Sequence, residues 1–338
     1  MSDVRLSLLV VPGDVVNPLT EGEVKPEGID LTVTRQGDGS TAYWRQLKFE
    51  EFDVSVMSVM SYIIAKSRGF DAIALPVFAS RRFMHTDISY HVDSGVKTAG
   101  DLVGKRIGVG EYQQTAAVWL RGVLEHDFGV SQYKVDWYME RSEELSHGGS
   151  TGFEVPEGIS FQRVPPEKSL ASMLVANEID AAPVGRAFRE ATNIIDRSTT
   201  NRGVGQDWSK VQRLFPDRMA ECIRFYEKYG CVPATQMYVI KGEVDREHPW
   251  AAFNLYEAFN QAKEIARSTM AARIPEMLVF GADYLANSRK ILGDDPFVYG
   301  VKANRAMFET LINFAAEQGL ITEKPAVDEL FALAVRDL

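Results

Sequence analysis

Two arginines and a histidine follow a predicted buried strand at close spacing. Residues 72–78 form an apolar run, and Arg81, Arg82 and His85 come soon after it. A guanidinium group binds a carboxylate in a planar, two-pronged geometry, and an imidazole titrates in the pH range that proton transfer requires. The arginines could instead be a solvated surface pair, and the histidine a structural residue. Because ligand contacts gather at the carboxyl ends of parallel strands, we expect anion binding by an arginine here. His85 is a candidate for proton transfer, although a histidine that stands alone is more often structural.

A second polar group lies where a predicted strand turns into a helix. Glu111, Tyr112 and Thr115 follow a strand predicted over 106–109 and precede a helix predicted over 116–126. The first turn of a helix presents unpaired backbone N–H groups, which favour an anion. A carboxylate side chain at Glu111 would repel such an anion, so Glu111 is instead a candidate partner for His85 or for a hydroxyl group of the ligand. Its alternative role is that of an acid that stabilises the helix dipole.

Four further residues are candidates for contact with the same ligand. Arg186 follows a short predicted strand over 178–183 and could clamp a carboxylate from the opposite side, or form a surface ion pair. Ser55 and Ser58 lie near the end of a strand predicted over 52–57, where they could bind a carboxylate or serve packing alone. Gln236 lies in an extended segment over 232–240.

The elements that must position these residues alternate between strands and helices in two series. Such alternation predicts an α/β protein with largely parallel sheets, and 338 residues are many for a single hydrophobic core. We therefore predict two α/β lobes with a central cleft. The first lobe comprises 1–85 and 238–338, and the second comprises 86–237. Crossings near 83–90 and 232–240 would form a hinge.

Composition and charge exclude several classes of partner. The chain is 45% hydrophobic and 25% charged, with no apolar stretch long enough to span a membrane. Its net charge of −10 disfavours nucleic acid and anionic membrane surfaces, which require a positive face. The first residues lack the pattern of a signal peptide, so we expect a cytoplasmic protein. Cys222 and Cys231 are expected to be free thiols rather than a bridge.

No pattern in the sequence indicates a metal or a dinucleotide. The other four histidines lack metal-ligand spacing with one another, which favours surface or capping roles for His91, His126, His147 and His248. The glycines at 108 and 110 lack the third glycine of a dinucleotide fingerprint. We therefore expect neither a metal nor another cofactor.

Several segments spread over most of the chain resemble the 4,5-dihydroxyphthalate decarboxylase family. They are residues 52–55 (FDVS), 76–83 (PVFASRRF), 108–113 (GVGEYQ) with 115–119 (TAAVW), 214–217 (LFPD), and 293–297 (GDDPF) with 299–300 (YG). The resemblance implies the type II periplasmic-binding-protein fold, with two α/β lobes that close on a small aromatic acid. It also implies loss of one carboxylate from a dihydroxylated aromatic diacid to give protocatechuate. The sequence departs from the family at Gln236, where a histidine is expected, and in the loop at 182–186.

Aromatic decarboxylation requires an acid near the ring carbon, a partner for the phenol and a cationic clamp for the remaining carboxylate. On this basis His85 and Glu111 are the predicted catalytic residues. The predicted substrate-binding residues are Arg81, Arg82, Ser55, Ser58, Tyr112, Thr115, Arg186 and Gln236. The expected partner is the small aromatic acid, and self-association into a homo-oligomer remains open. The alternative function is a solute-binding protein that holds a small aromatic acid without changing it.

Overall fold

The computed structural model describes residues 3–37, 39–184 and 205–338. Two mixed sheets organise this part of the chain. The first has the strand order β2-β1-β3-β11-β4, and the second has the order β10-β5-β9-β6-β7-β8. This arrangement is the predicted two-lobed α/β fold.

The first sheet is built from four early strands and one late strand. Its members are β1 (Val4–Val10), β2 (Ile29–Arg35), β3 (Val54–Ser58), β4 (Ala72–Arg81) and β11 (Ala234–Lys241). Strand β1 pairs in parallel with β2 and β3, whereas β11 runs antiparallel to β3 and β4. Every residue of β3 is buried, as expected for a strand covered on both faces.

The second sheet takes its strands from the middle of the chain. They are β5 (Ile88–His91), β6 (Arg106–Val109), β7 (Asp136–Met139), β8 (Phe161–Arg163), β9 (Ala181–Pro183) and β10 (Val211–Arg213). Strands β9, β6, β7 and β8 are parallel, and β5 and β10 complete one edge in antiparallel pairing.

Helices cover both sheets. They are α1 (Asn17–Thr20), α2 (Gly39–Phe49), α3 (Val59–Ser67), α4 (Thr115–Phe128), α5 (His147–Thr151), α6 (Leu170–Val175), α7 (Arg218–Tyr229), α8 (Gly242–Glu247), α9 (Ala251–Thr269), α10 (Gly281–Leu292) and α11 (Val301–Glu317). Helix α4 ends at Gly129, whose φ of 70° is a left-handed conformation that glycine adopts without strain.

The chain passes between the sheets twice. It leaves the first sheet at Arg81 and enters the second at Ile88, and it returns between Arg213 and Ala234. Strand β11 begins at Ala234, so the first sheet includes residues 234–237, which the sequence prediction gave to the second lobe. The remaining bounds of the lobes stay a prediction.

Candidate active site

A cleft of about 340 Å³ lies between the two sheets, and the ends of their strands line it. Ser58, Pro183 and the positions just after β1, β6 and β7 all contribute, as the carboxyl ends of strands commonly do in α/β proteins. Helices add side chains at their first residues. The polar and charged residues that line this central cleft are Tyr43, Ser58, Arg82, Asp87, Gln114, Thr115, Arg141, His147, Arg218, Thr235 and Gln236.

In the part of the chain that the structure describes, three guanidinium groups border the central cleft from different elements. Arg82 follows β4 and is exposed, Arg141 follows β7 and is buried, and Arg218 is the first residue of α7. The Nε atom of Arg218 lies 3.8 Å from Oδ1 of Asp87, which among the described residues is the one acidic residue that lines the cleft. In a chain with a net charge of −10, such a grouping makes the cleft a locally favourable place for an anion.

His147 opens α5 and borders the same cleft. Its ring is buried, its Nδ1 lies 3.2 Å from Oγ of Ser61, and it packs edge-on against the Tyr43 ring at 5.8 Å. Ser146 caps α5, because its hydroxyl accepts a hydrogen bond from the Gly149 N–H. The histidine is therefore held in a defined orientation at the cleft wall.

Glu111 lies behind His147 and Arg141. Its buried carboxylate pairs with the Arg141 guanidinium and accepts hydrogen bonds from Ser146 Oγ at 2.6 Å and the Gly148 N–H at 3.0 Å. Burial by itself raises the pKa of Glu111. The positive charge of Arg141, the nearby His147 and the two hydrogen bonds outweigh burial and hold the pKa below its ordinary value. Glu111 is therefore a carboxylate that supports the cleft wall.

Two hydroxyl groups form a contact at the cleft between the first sheet and helix α4. Ser58 Oγ, at the end of β3, lies 2.9 Å from Thr115 Oγ1, at the start of α4. The Thr115 hydroxyl also accepts a hydrogen bond from the Met60 N–H at 2.9 Å. This contact fixes the start of α4 against the first sheet.

Four of the predicted site residues therefore meet at the central cleft: Ser58, Arg82, Thr115 and Gln236. Arg186 lies outside the described residues. Glu111 touches two residues of the cleft wall without lining the cleft. The other four predicted residues lie elsewhere.

Arg81 points away from the cleft, contrary to the expectation of a carboxylate clamp. Its buried guanidinium donates hydrogen bonds to the Val232 and Val298 carbonyls, at 2.8 and 2.9 Å, and to Asn304 Oδ1. Burial lowers its pKa to about 10. Arg81 thus ties β4 to the C-terminal part of the chain.

His85 is also directed into the protein rather than towards a ligand. Its Nε2 lies 2.8 Å from Oε1 of Glu221, and its ring stacks on Phe225. His85 belongs to a short 3₁₀ helix over Met84–Asp87, in which residues three apart share a side. Met84 and Asp87 accordingly line the cleft, and His85 does not.

Ser55 and Tyr112 are both core residues. Ser55 is fully buried in β3, where its hydroxyl donates to the Val56 carbonyl at 3.0 Å. The Tyr112 hydroxyl donates to Gln132 Oε1 at 2.7 Å, and its ring lies under the Arg121 guanidinium. Both side chains are buried in the core, so neither lines the cleft.

The sequence interpretation missed Arg141 and His147. His147 was assigned a surface or capping role, but it is buried at the cleft. Helix α5 lies in a stretch rich in serine, glycine and glutamate, a composition that is typical of loops. A usable signal was present for Arg141, because it lies shortly after the end of a strand, as Arg82 does. Strand β7 has only four residues, which is too short for a clear alternation of apolar and polar side chains.

Within 3–37, 39–184 and 205–338, no three His, Cys, Asp or Glu side chains are grouped so as to hold a metal ion. Over the same ranges, none of the helices combines the length and the apolar character that crossing a bilayer demands.

Comparison of the folded chain with solved structures gives distant relatives that share the fold. The aliphatic sulphonate binding protein SsuA of Escherichia coli is 12% identical, with a TM-score of 0.55 over 98% of this chain and 92% of that chain. SsuA of Xanthomonas axonopodis pv. citri, bound to MOPS, is 13% identical, with a TM-score of 0.54 over 97% and 96%. A mutant of DSZB in complex with biphenyl-2-sulfinic acid is 14% identical, with a TM-score of 0.50 over 98% and 97%.

Sequence comparison gives closer relatives, although no family model matches the chain. The 4,5-dihydroxyphthalate decarboxylase of Comamonas testosteroni is 30% identical over 336 residues, covering 98% of this chain and 97% of that protein. The 4,5-dihydroxyphthalate decarboxylase of Pseudomonas putida is 36% identical over 186 residues, covering 54% of this chain and 72% of that protein. This chain therefore belongs to the 4,5-dihydroxyphthalate decarboxylase family and is a carbon–carbon lyase.

Proposed function

We propose that the chain converts 4,5-dihydroxyphthalate, or a closely related dihydroxylated aromatic diacid, to protocatechuate and CO₂ in the central cleft. The observation that carries the proposal is the presence of one oriented histidine and three guanidinium groups around a single cavity. His147 is the proposed proton donor. Arg82, Arg141 and Arg218 are the proposed partners of the two carboxylates.

The reaction requires a proton before it can release CO₂. Direct loss of CO₂ would leave an electron pair in the plane of the ring, as an unstable aryl anion. Protonation of the ring carbon that bears the leaving carboxylate avoids this anion, and the hydroxyl group para to that carbon stabilises the positive charge. The carbon–carbon bond then breaks, and its electron pair restores the aromatic ring. Atoms and electrons balance with one proton consumed and one CO₂ released.

His147 meets the geometric conditions for that proton transfer. Nδ1 faces Ser61 and, at 3.9 Å, a carboxylate oxygen of Glu111, so Nε2 lies on the opposite edge of the ring. A buried carboxylate at this distance favours the protonated imidazolium over the neutral ring. The interaction with Glu111 thus favours the form of His147 that the proposed proton transfer needs.

The arginines supply the charge that a dianionic substrate needs. Arg141 already pairs with Glu111, and Arg218 lies 3.8 Å from Asp87, so we assign the main contact with a substrate carboxylate to Arg82. Guanidinium groups bind carboxylates through paired N–H donors, which orients as well as attracts the ring. Gln114, Thr235 and Gln236 add neutral polar groups that suit the two hydroxyls.

We further propose that the reaction needs no cofactor, because no electron leaves the substrate in the scheme above. Activity of the purified protein should be unchanged after dialysis against a chelator. A loss of activity that an added metal restores would contradict this part of the proposal.

The decisive test incubates the purified protein with 4,5-dihydroxyphthalate and follows CO₂ and protocatechuate. Reaction in D₂O should place one deuterium on the carbon that loses its carboxylate. Phthalate, which lacks both hydroxyls, is the matched control and should bind without reacting. Tight binding of the dihydroxylated acid without release of CO₂ would overturn the proposal in favour of a solute-binding protein.

A further inference from the structure

Asp87 is the last residue of the 3₁₀ helix over Met84–Asp87, where the chain crosses from the first sheet to the second. Its side chain is 20% exposed and lines the central cleft. The carboxylate lies 3.8 Å from Nε of Arg218, a distance that allows attraction between the charges but exceeds that of a hydrogen bond. None of the described residues donates a hydrogen bond to it. The Asp87 carboxylate can therefore accept a hydrogen bond from a ligand in the cleft.

The chemistry of the substrate limits which of its groups can meet Asp87. An ionised aspartate accepts hydrogen bonds and donates none, and it repels a second carboxylate. Once both acids of 4,5-dihydroxyphthalate are ionised, its two hydroxyls are its only hydrogen-bond donors. The hydroxyls lie at the end of the ring opposite the carboxylates. Asp87 can therefore meet a hydroxyl without approaching either carboxylate.

We propose that Asp87 is a catalytic residue that accepts the proton of the hydroxyl para to the leaving carboxylate, a role that rests on the proposed function. As His147 protonates the ring carbon, a ring electron pair forms the new C–H bond. The O–H bond breaks, its proton moves to Asp87, and its electron pair makes the carbon–oxygen double bond. Loss of CO₂ then returns an electron pair to the ring, and the oxygen takes its proton back. Asp87 ends as it began, and one proton from His147 enters the product.

Asp87 does not need to be a strong base for this step. A carboxylate takes few protons from an ordinary phenol, but protonation of the ring carbon places positive charge on the para oxygen. That charge makes the hydroxyl strongly acidic, so its proton moves readily to a carboxylate. Removal of the charge lowers the free energy of the dearomatised intermediate and therefore the barrier to its formation.

A contact outside the cleft fixes the position of Asp87 relative to Arg218. His85 Nε2 lies 2.8 Å from Glu221 Oε1, which ties the 3₁₀ helix to α7. Asp87 lies two residues after His85, and Arg218 lies three residues before Glu221. A guanidinium group has five N–H donors, so Arg218 can hold Asp87 in place and still bind the substrate. His85, which does not line the cleft, thus helps to position two residues that do.

The proposed acid and the proposed base come from different elements, as the reaction requires. The protonated carbon and the para hydroxyl are at opposite ends of the ring, so one side chain cannot serve both. His147 opens α5 and lies beside Ser61 and Glu111, whereas Asp87 ends the crossing segment and pairs with Arg218. Both side chains line the same cleft.

The test compares Asp87→Asn with the unaltered protein in steady-state kinetics on 4,5-dihydroxyphthalate. Asparagine keeps the shape of the side chain but cannot take up the proton, so kcat should fall about a hundredfold or more. Asp87→Glu keeps the carboxylate and should recover part of kcat. Asp93→Asn is the matched control, because Asp93 is exposed and pairs with Lys210 at 3.0 Å outside the cleft. Its kcat should stay within about twofold of the unaltered protein.

A ring-fluorinated substrate separates proton acceptance from a structural role. In 3,6-difluoro-4,5-dihydroxyphthalate both hydroxyls are more acidic and need less help from a base. The ratio of kcat between the unaltered protein and Asp87→Asn should therefore shrink about tenfold. If Asp87 only held Arg218, the variant would raise KM and the ratio of kcat would be the same for both acids. That result, or full kcat in Asp87→Asn, would overturn this role and leave the decarboxylase proposal standing. An unaltered protein that releases no CO₂ from 4,5-dihydroxyphthalate would overturn both.

Discussion

Nδ1 of His147 lies 3.9 Å from Oε2 of Glu111, and Glu111 also holds the helix that carries His147. Its other oxygen accepts hydrogen bonds from Ser146 Oγ and the Gly148 N–H, which flank the histidine in the chain. One buried carboxylate thus fixes both the charge environment of the ring and the position of its backbone. The proposed acid and its positioning residue come from different segments, 36 residues apart in sequence.

Replacement of His147 should remove the proton donor and leave the arginines that bind the carboxylates in place. We expect His147→Gln to lower kcat by about a hundredfold or more, since general acid catalysis contributes on the order of 10² to 10⁴. Substrate affinity, measured by calorimetry, should stay within about threefold. His126→Gln is the matched control, because His126 is exposed and pairs with Glu317 away from the cleft. Equal losses in the two variants would exclude His147 as the donor.

Replacement of Glu111 should change the pH dependence of turnover as well as its rate. An enzyme that needs a protonated acid loses activity as pH rises. The negative charge of Glu111 favours the protonated form of His147 and so moves this loss to higher pH. Glu111→Gln should therefore shift the alkaline limb of the kcat profile to lower pH, by about one unit. A merely structural role would lower the rate at every pH and leave the limb in place.

Replacement of Arg82 should affect KM, whereas replacement of Arg81 should affect stability. Arg82→Gln should raise KM about tenfold or more, because a carboxylate in the cleft loses a cationic partner, and Arg82→Lys should recover part of the loss. Arg81→Met should leave KM within about twofold, but it should cost about 2–4 kcal/mol of stability, since it leaves buried acceptors unpaired. Steady-state kinetics and urea unfolding distinguish the two. A rise in KM for Arg81→Met alone would reverse the assignment.

The pair of arginines shows what the sequence could and could not predict. A strand followed by Arg81 and Arg82 predicts a site at its end, and adjacent residues of a strand point to opposite faces. Only one of the two can therefore face the cleft. Which one does so depends on register, and the pairing of β4 with β11 shifts three times between Ala234 and Tyr238. Such an irregularity leaves no clear signal in the pattern of apolar residues.

More of the fold than of the site could be predicted from the sequence. The alternation of strands and helices predicts two α/β lobes. This prediction is robust because the alternation arises from the burial of many residues together. His147 depends instead on how a segment rich in serine and glycine is folded back against α3. Its position follows from long-range contacts with Glu111 and Ser61, which the local pattern does not encode.

The stability of the contact between α4 and α7 should depend on pH through Asp127. Burial raises the pKa of this carboxyl, but hydrogen bonds from Lys228, Tyr229 and Arg224 outweigh burial and hold the pKa below its ordinary value of 3.8. A lowered pKa stabilises the fold at pH values above the ordinary one, and the effect is lost as pH falls through the folded value. Asp127→Asn should therefore cost about 1.5–3 kcal/mol at pH 7. Thermal unfolding across pH should show the difference between variant and parent shrinking below pH 3.8. A constant difference down to strong acid would contradict the role of ionisation.

Replacement of Gly122 by alanine should destabilise the protein, whereas the same change at an ordinary helical glycine stabilises it. Alanine in place of glycine inside a helix usually adds about 1 kcal/mol of stability. A Cβ at position 122 of α4 would lie 2.1 Å from the Phe314 ring of α11, which is itself buried. The helices would have to separate, so Gly122→Ala should lose about 1–3 kcal/mol. Gly149→Ala in α5 is the control, because its Cβ would meet its nearest neighbours at 3.7 Å, an ordinary contact. Urea unfolding of both variants measures the effect, and a more stable Gly122→Ala protein would show that α4 and α11 pack less closely than the contact requires.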